Sequence, residues 1–402
     1  MRASVRRSAS ASMLPRRKST RLIHTGRGAS GPAVPVNPPV MRASSVLFDT
    51  LATWRDTRAR RDHERLLSYG TRGTQTAFAL EEALVALEGG YRAQLFPTGL
   101  AAIAMVFVAY LRSGEHVLVS DAVYWPVRKL CDDFLEANGI EFTYYAADGS
   151  DLEAKVKPNT RMVYAECPGS LVYEMIDLPA VVKLARARDI LVAVDNTWGS
   201  GWLYNPLALG ADISVLAVTK YIAGHSDLVM GAVVTTEAAW KPLGQMSDAF
   251  GQITSPDDVY LALRGMRTMA ARLEVHQRNA FAVVEWLQQR PEVRTLYFPA
   301  LPSHPGHEIW KRDCSGVNGL LSFEVTDASA TQVEAMIDSL ELFGIGASWG
   351  GYESMVLPAN LSQSRTVTDW SGHNQIVRLH IGLEDPTDVI ADLEQAFASL
   401  RN

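Results

Sequence analysis

The sequence predicts an α/β protein: a large domain built on a mainly parallel sheet, followed by a small α+β C-terminal domain. Three observations predict it. Short runs rich in Val and Ile, such as 190–194 and 213–219, alternate with segments of helical period, the pattern of a parallel sheet with crossover helices. A long amphipathic stretch from about 256 to 289 then separates this region from a second set of strands. With 402 residues, 47% hydrophobic and 20% charged, the chain is globular and long enough for two or three domains.

The elements follow in order. Residues 1–22 are rich in Arg and Ser and lack acids, which predicts a basic disordered leader. It is either an organellar transit peptide or the product of an early start codon, Met13 offering a later one. Residues 23–75 form an N-terminal arm with four prolines in 29–48, an arginine-rich stretch, and the glycine-turned loop Tyr69–Thr76. From Ala77 a helix places Phe78, Leu80, Ala83, Leu84 and Leu87 on one face and stops at Gly89-Gly90. The strand 93–96 passes through Pro97-Thr98-Gly99 into an apolar helix, 100–111. Strands at 116–119, 141–145 and 162–166 and helices at 126–138 and 179–188 continue the alternation. The domain that holds the site spans 76–260. The small domain, 261–402, holds strands at 319–325, 343–348 and 377–381, a helix at 333–340, and a closing helix from Pro386.

Bulk properties exclude several functions. The first 48 residues carry nine Lys/Arg and no acid, yet the net charge is −6, so the body is acidic and no nucleic-acid surface is expected. The longest apolar run, 100–111, is too short to span a bilayer. Three scattered cysteines describe neither a disulfide framework nor a zinc site, and imply a reducing compartment, the cytoplasm. His304-Pro-Gly-His307 lacks a third ligand nearby and reads as a surface loop, so no metal is expected.

The chemistry concentrates between Asp195 and Gly231. One apolar run stops at Asp195 and the next at Lys220, which places a carboxylate and an amine outside the carboxyl ends of two strands, where open α/β sheets bind ligands. That pair suits pyridoxal phosphate, which needs a lysine for its Schiff base and an acid against its pyridinium nitrogen. The Gly99 turn at a helix N-terminus offers free N–H groups for a phosphate. Tyr124 and Trp125 lie in a loop at the same edge; an aromatic there stacks on a cofactor ring or caps the core, and spacing alone favours the cap. A nicotinamide-dependent oxidoreductase is disfavoured, because no G-x-G-x-x-G follows the first strand.

The segments RASSVLFDT, YGTRGT, LEGGYRAQLFPTGLAA, ECPGS, DNTWGSG, AVTKYIAGHSD, LRGMRT, PALPSHPGHEIWKRD, SWGGYES and VRLHIGLED occur in this order, and with them the chain resembles the Cys/Met-metabolism family of pyridoxal-phosphate enzymes from about Val40 to Arg401. The resemblance implies fold type I and a carbon–sulfur lyase of methionine biosynthesis. Its reaction would be α,β-elimination of an L-cysteine thioether such as L-cystathionine to homocysteine, pyruvate and ammonia. The alternative is γ-elimination or γ-replacement within the same family. Lys220, Tyr124 and Tyr69 would be catalytic. Lys220, Asp195, Tyr124, Gly99, Leu100, Thr219, Ala217, Thr197, Tyr69 and Arg72 would hold the cofactor, Tyr69 from a neighbouring subunit. Arg378, Ser348 and Trp349 would bind substrate. The resemblance also implies a tetramer made of two dimers. The chain departs from the family at Thr71, where an arginine is usual, and at Ala347, where a tyrosine is expected in close relatives.

Overall fold

Asp195 and Lys220 owe their position to the first sheet. It contains β1 (Arg92–Phe96), β2 (His116–Ser120), β3 (Glu141–Tyr145), β4 (Thr160–Glu166), β5 (Leu191–Asp195), β6 (Ile213–Ala217) and β7 (Gly231–Thr235). The computed structural model describes residues 16–27 and 33–401. The spatial order is β1-β7-β6-β5-β4-β2-β3. All strands run parallel except β7, which pairs antiparallel with both β6 and β1. The link from β6 to β7 contains no crossover helix, and an antiparallel neighbour needs none.

The sheet is covered on both faces, which explains its unbroken apolar runs. Along β2, Val117 and Val119 join the layer under helix Gly99–Tyr110, whereas Leu118 joins the layer under helix Leu178–Arg186. Helix Gln75–Glu88 ends at Gly89 with φ of +75°, the left-handed cap its sequence predicts.

A second sheet contains β8 (Val293–Tyr297), β9 (Leu320–Val325), β10 (Gly344–Ile345), β11 (Met355–Ala359) and β12 (Ile376–His380), in the order β10-β11-β12-β9-β8. Helix Pro256–Leu287, about 48 Å long at 1.5 Å per residue, packs on helix Gln75–Glu88 at one end and on β8, β9 and helix Pro386–Phe397 at the other. The boundary expected between 260 and 261 falls inside this single helix.

Several expectations need correction. The leader lies outside the described residues up to residue 15, but it is not disordered to residue 22. Lys18–His24 is helical, Leu22 is buried, and Arg267 donates to the carbonyls of Leu22 (2.7 Å) and Gly26 (3.3 Å) at its end. The arginine-rich stretch is helical over Leu51–Arg60 with no buried residue. The strand expected over 343–348 shrinks to Gly344–Ile345, and β8 and β11 were not anticipated. Pro358 disguises β11; it lies beyond the two-residue reach of β10, where its missing N–H breaks no ladder. The helix expected over 126–138 starts at Trp125, widens into a π-type turn over Cys131–Leu135 and ends as a 3-10 turn. The 304–307 segment is no surface loop: His304 is buried, donates from Nε2 to the Val172 carbonyl (3.2 Å) and accepts the Gly306 N–H at Nδ1 (3.1 Å).

Candidate active site

Lys220 stands three residues past β6, in a turn closed by its N–H on the Ala217 carbonyl (3.1 Å). It borders a cavity of about 380 Å³, within the size range of small-molecule sites. Gly99, Leu100, Tyr124, Asp195, Thr197, Ala217, Thr219, Trp349 and Arg378 line the same cavity. Ser348 joins them by accepting from Lys220 Nζ (2.8 Å), and the ammonium lies 5.1 Å from the centre of the Trp349 ring. The structure therefore gathers most of the residues singled out in the sequence.

Electrostatics favour a reactive amine. Burial pushes the Lys220 pKa down to about 8; Arg378 adds to the effect and Asp195 opposes it. Asp195 is 6% exposed, and burial raises its pKa against the pull of Thr197 and Lys220. The Thr197 N–H (2.9 Å) and hydroxyl (2.6 Å) both donate to Asp195 Oδ1. Thr197 Oγ1 in turn accepts the Ala217 N–H (2.8 Å), so Thr197 and Ala217 orient the carboxylate. Oδ2 has no hydrogen bond among the described residues and is the oxygen left for a ligand.

The start of helix Gly99–Tyr110 borders the same cavity. Thr98 caps helix Gly99–Tyr110 by accepting from the Ala101 N–H (2.9 Å), and the first N–H groups of the helix, at Gly99 and Leu100, have no helical partner. A Cβ on Gly99 would lie 2.9 Å from that of Ala217, so only glycine lets the helix start this close to β6. Thr219 borders the cavity as well. Its hydroxyl donates to the Met230 carbonyl (3.1 Å) and accepts the Met230 N–H (3.0 Å), which commits its proton to the backbone.

Arg378 is 8% exposed. Its Nη2 donates to the carbonyls of Gly346 (3.1 Å) and Ser348 (3.2 Å), while Nε is buried and has no partner among the described residues. The unpaired Nε is a charged donor that a carboxylate would satisfy. Tyr124 is half exposed, so it lines the cavity and does not cap the core. Tyr69 and Arg72 are not brought to this cavity. Arg72 pairs instead with Asp62 (2.7 Å) and Asp248 of its own chain.

Two neighbours escaped sequence reasoning. Glu166 closes β4 as Asp195 closes β5, and accepts the Tyr124 N–H (2.6 Å); a charged residue ending an apolar run was the signal for both. Arg365, with its side chain fully buried, pairs with Glu174 (2.9 Å), and nothing local in the sequence marks it.

The pattern described as "Cys/Met metabolism PLP-dependent enzyme" matches residues 19–398. The chain belongs to this family. It is 48% identical over 383 residues to a cystathionine beta-lyase of Bordetella avium, covering 94% of this chain and 96% of that one. It is 38% identical over 396 residues to the cystathionine beta-lyase of Escherichia coli (strain K12), covering 96% and 100%. The structure of a cystathionine gamma-lyase from Lactobacillus plantarum complexed with L-serine matches with a TM-score of 0.86 at 29% identity, over 96% of this chain and 100% of that chain. The family's cofactor is pyridoxal phosphate, and the residues present fit its parts: an acid for the ring nitrogen, a free helix start for the phosphate, and a partly buried amine of lowered basicity in the same cavity.

Proposed function

We propose that this protein is a pyridoxal-phosphate-dependent carbon–sulfur lyase that carries out α,β-elimination of L-cystathionine and related L-cysteine thioethers, yielding homocysteine, pyruvate and ammonia. The observation that carries the reading is Lys220: a partly buried amine with its pKa near 8, sharing one cavity with Asp195 and Arg378. Extended identity to cystathionine beta-lyases supports the thioether substrate.

Each residue has a task. Arg378 binds the substrate α-carboxylate through Nε, its buried donor without a partner among the described residues. Asp195 Oδ2, steadied by Thr197, holds the ring nitrogen of the cofactor, while Gly99 and Leu100 N–H groups hold its phosphate. Tyr124 covers the ring face. When bound, pyridoxal phosphate supplies an electron sink for the pair released at the substrate Cα. Lys220 Nζ, neutral above about pH 8, takes the Cα proton and later delivers it to the departing sulfur. Ser348 Oγ, 2.8 Å away, orients Nζ for both transfers.

Tyr69 and Arg72 serve the cavity of a neighbouring subunit, the catalytic unit is a dimer, and two dimers form the tetramer. Tyr69 is 46% exposed on its own chain, as a residue offered to a partner would be. No described helix is long and apolar enough to cross a membrane. The three unpaired cysteines suit a reducing cytoplasm.

Incubating the yellow holoenzyme with L-cystathionine and identifying the products tests the reading. Pyruvate with homocysteine is expected. 2-Oxobutyrate with cysteine would move the enzyme to γ-elimination.

A further inference from the structure

We propose that His380 is a positioning residue that fixes the 346–350 loop against the backbone of Lys220. The loop carries Ala347, Ser348 and Trp349 into the cavity; apart from the Gly346 N–H on the Val356 carbonyl of β11 (3.3 Å) and the Lys220 bond to Ser348, its hydrogen bonds to the rest of the fold come from β12. At one end Arg378 Nη2 donates to the carbonyls of Gly346 and Ser348. At the other, the Gly350 N–H donates to His380 Nε2 (3.1 Å). Arg378 and His380 are two apart on β12 and so share a face.

Gly350 transmits the constraint. Its φ is +89°, and a Cβ there would lie 2.9 Å from the Lys220 carbonyl carbon and 3.0 Å from its Cα. The loop thus rests on the backbone that carries the reactive amine, and Ser348 and Trp349 meet the amine from the other side.

His380 suits the task. It is fully buried, and its Nδ1–H donates to the Glu353 carbonyl (3.1 Å), which fixes the tautomer and leaves Nε2 as an acceptor. Its ring packs against Tyr221 (5.8 Å between centroids) and His276 (5.2 Å), and Tyr221 packs against Trp349 (5.5 Å). Burial, then His276, keeps the ring neutral far below the usual imidazole range, so the acceptor survives across the working pH.

The test compares two polar replacements in the holoenzyme. Gln at 380 places an amide oxygen where Nε2 stood; Asn is too short to reach the Gly350 N–H. His380→Gln should keep kcat within about threefold of wild type, because the acceptor is retained. His380→Asn should lower kcat about 10²-fold at little change in KM, as displacement of a reacting group by about 1 Å does. It should also shift the pH midpoint of the cofactor's visible band, which a merely structural role would leave in place. Equal behaviour of the two variants, or a change in KM alone, overturns the proposal. The elimination reading supplies only the substrate; the band midpoint does not depend on it. On the wild-type protein, the Gly350 amide should exchange hydrogen as slowly as core strands. Fast exchange there overturns the proposal even if no variant folds.

Discussion

Glu166 and Asp195 stand side by side, the last residues of the adjacent parallel strands β4 and β5, paired in register. A buried carboxylate and a partly buried one this close do not both ionise readily. Burial, then Asp195, drives the Glu166 pKa well up, while Asp195 has the Thr197 donors and Lys220 to stabilise its charge. The proton therefore belongs to Glu166 and the charge to Asp195. Because folding raises the Glu166 pKa, the folded state holds its proton where the unfolded chain has lost it. Stability should fall as pH rises above the ordinary carboxylate range of about 4.3. Glu166→Gln, neutral at every pH, should flatten that decline in urea titrations at pH 5, 7 and 9. Asp195→Asn should lose cofactor and activity together. A steeper decline in the Gln variant would reverse the assignment.

Lys220 sets a second pH dependence, of opposite sign. Its folded pKa, about 8, lies below the unfolded value of about 10.4, so the unfolded chain binds the proton more tightly between these values. In the cofactor-free protein, stability should rise with pH through that window and the rise should vanish in Lys220→Ala. In the enzyme, Lys220→Ala should abolish pyruvate release with the fold intact. Near-normal turnover by that variant would remove Lys220 from the mechanism.

Ser348 and Arg378 separate orientation from binding. The Ser348 hydroxyl accepts from Lys220 Nζ at 2.8 Å, and losing one such bond costs about 1 kcal/mol. Ser348→Ala should thus lower kcat roughly five- to tenfold with little change in KM. Arg378→Lys keeps the charge but not the planar fork, and should raise KM about 10- to 100-fold with a smaller effect on kcat. Steady-state kinetics with L-cystathionine distinguish the two, and exchanged effects would reassign the residues.

The legible parts of this fold are those dictated locally. β5 and β6 are apolar runs closed by Asp195 or ending just before Lys220, and a parallel sheet puts such ends at one edge. Gly89 marks a helix end by backbone need alone, and the Thr98-Gly99 turn marks a helix start. What sequence concealed depends on contacts remote in the chain. Glu166 bears the same strand-end signal as Asp195 and gains its meaning only from pairing with it. The 346–350 loop reads as a continuation of β10 until Arg378 and His380 pull its backbone toward the cavity. Thr219 stands beside the lysine as expected, but its hydroxyl is met by Met230, the residue before β7.

Tyr69 and Thr71 both lie away from the cavity of their own chain, and Arg72, next in sequence, is held by Asp62 and Asp248. If the loop serves a partner's cavity, a Tyr69→Phe chain mixed with a Lys220→Ala chain should form hybrid dimers in which one of two sites has both residues intact. Random exchange should then restore about a quarter of wild-type activity. No recovery despite exchange verified by native mass spectrometry would show that each chain completes its own site. Thr71→Arg tests the same geometry from the gain side. A charged hydrogen bond to a phosphate is worth about 1.5–3 kcal/mol, so the variant should bind cofactor roughly 10- to 100-fold more tightly in a fluorescence titration. Unchanged affinity would mean that position 71 does not reach the phosphate in either subunit.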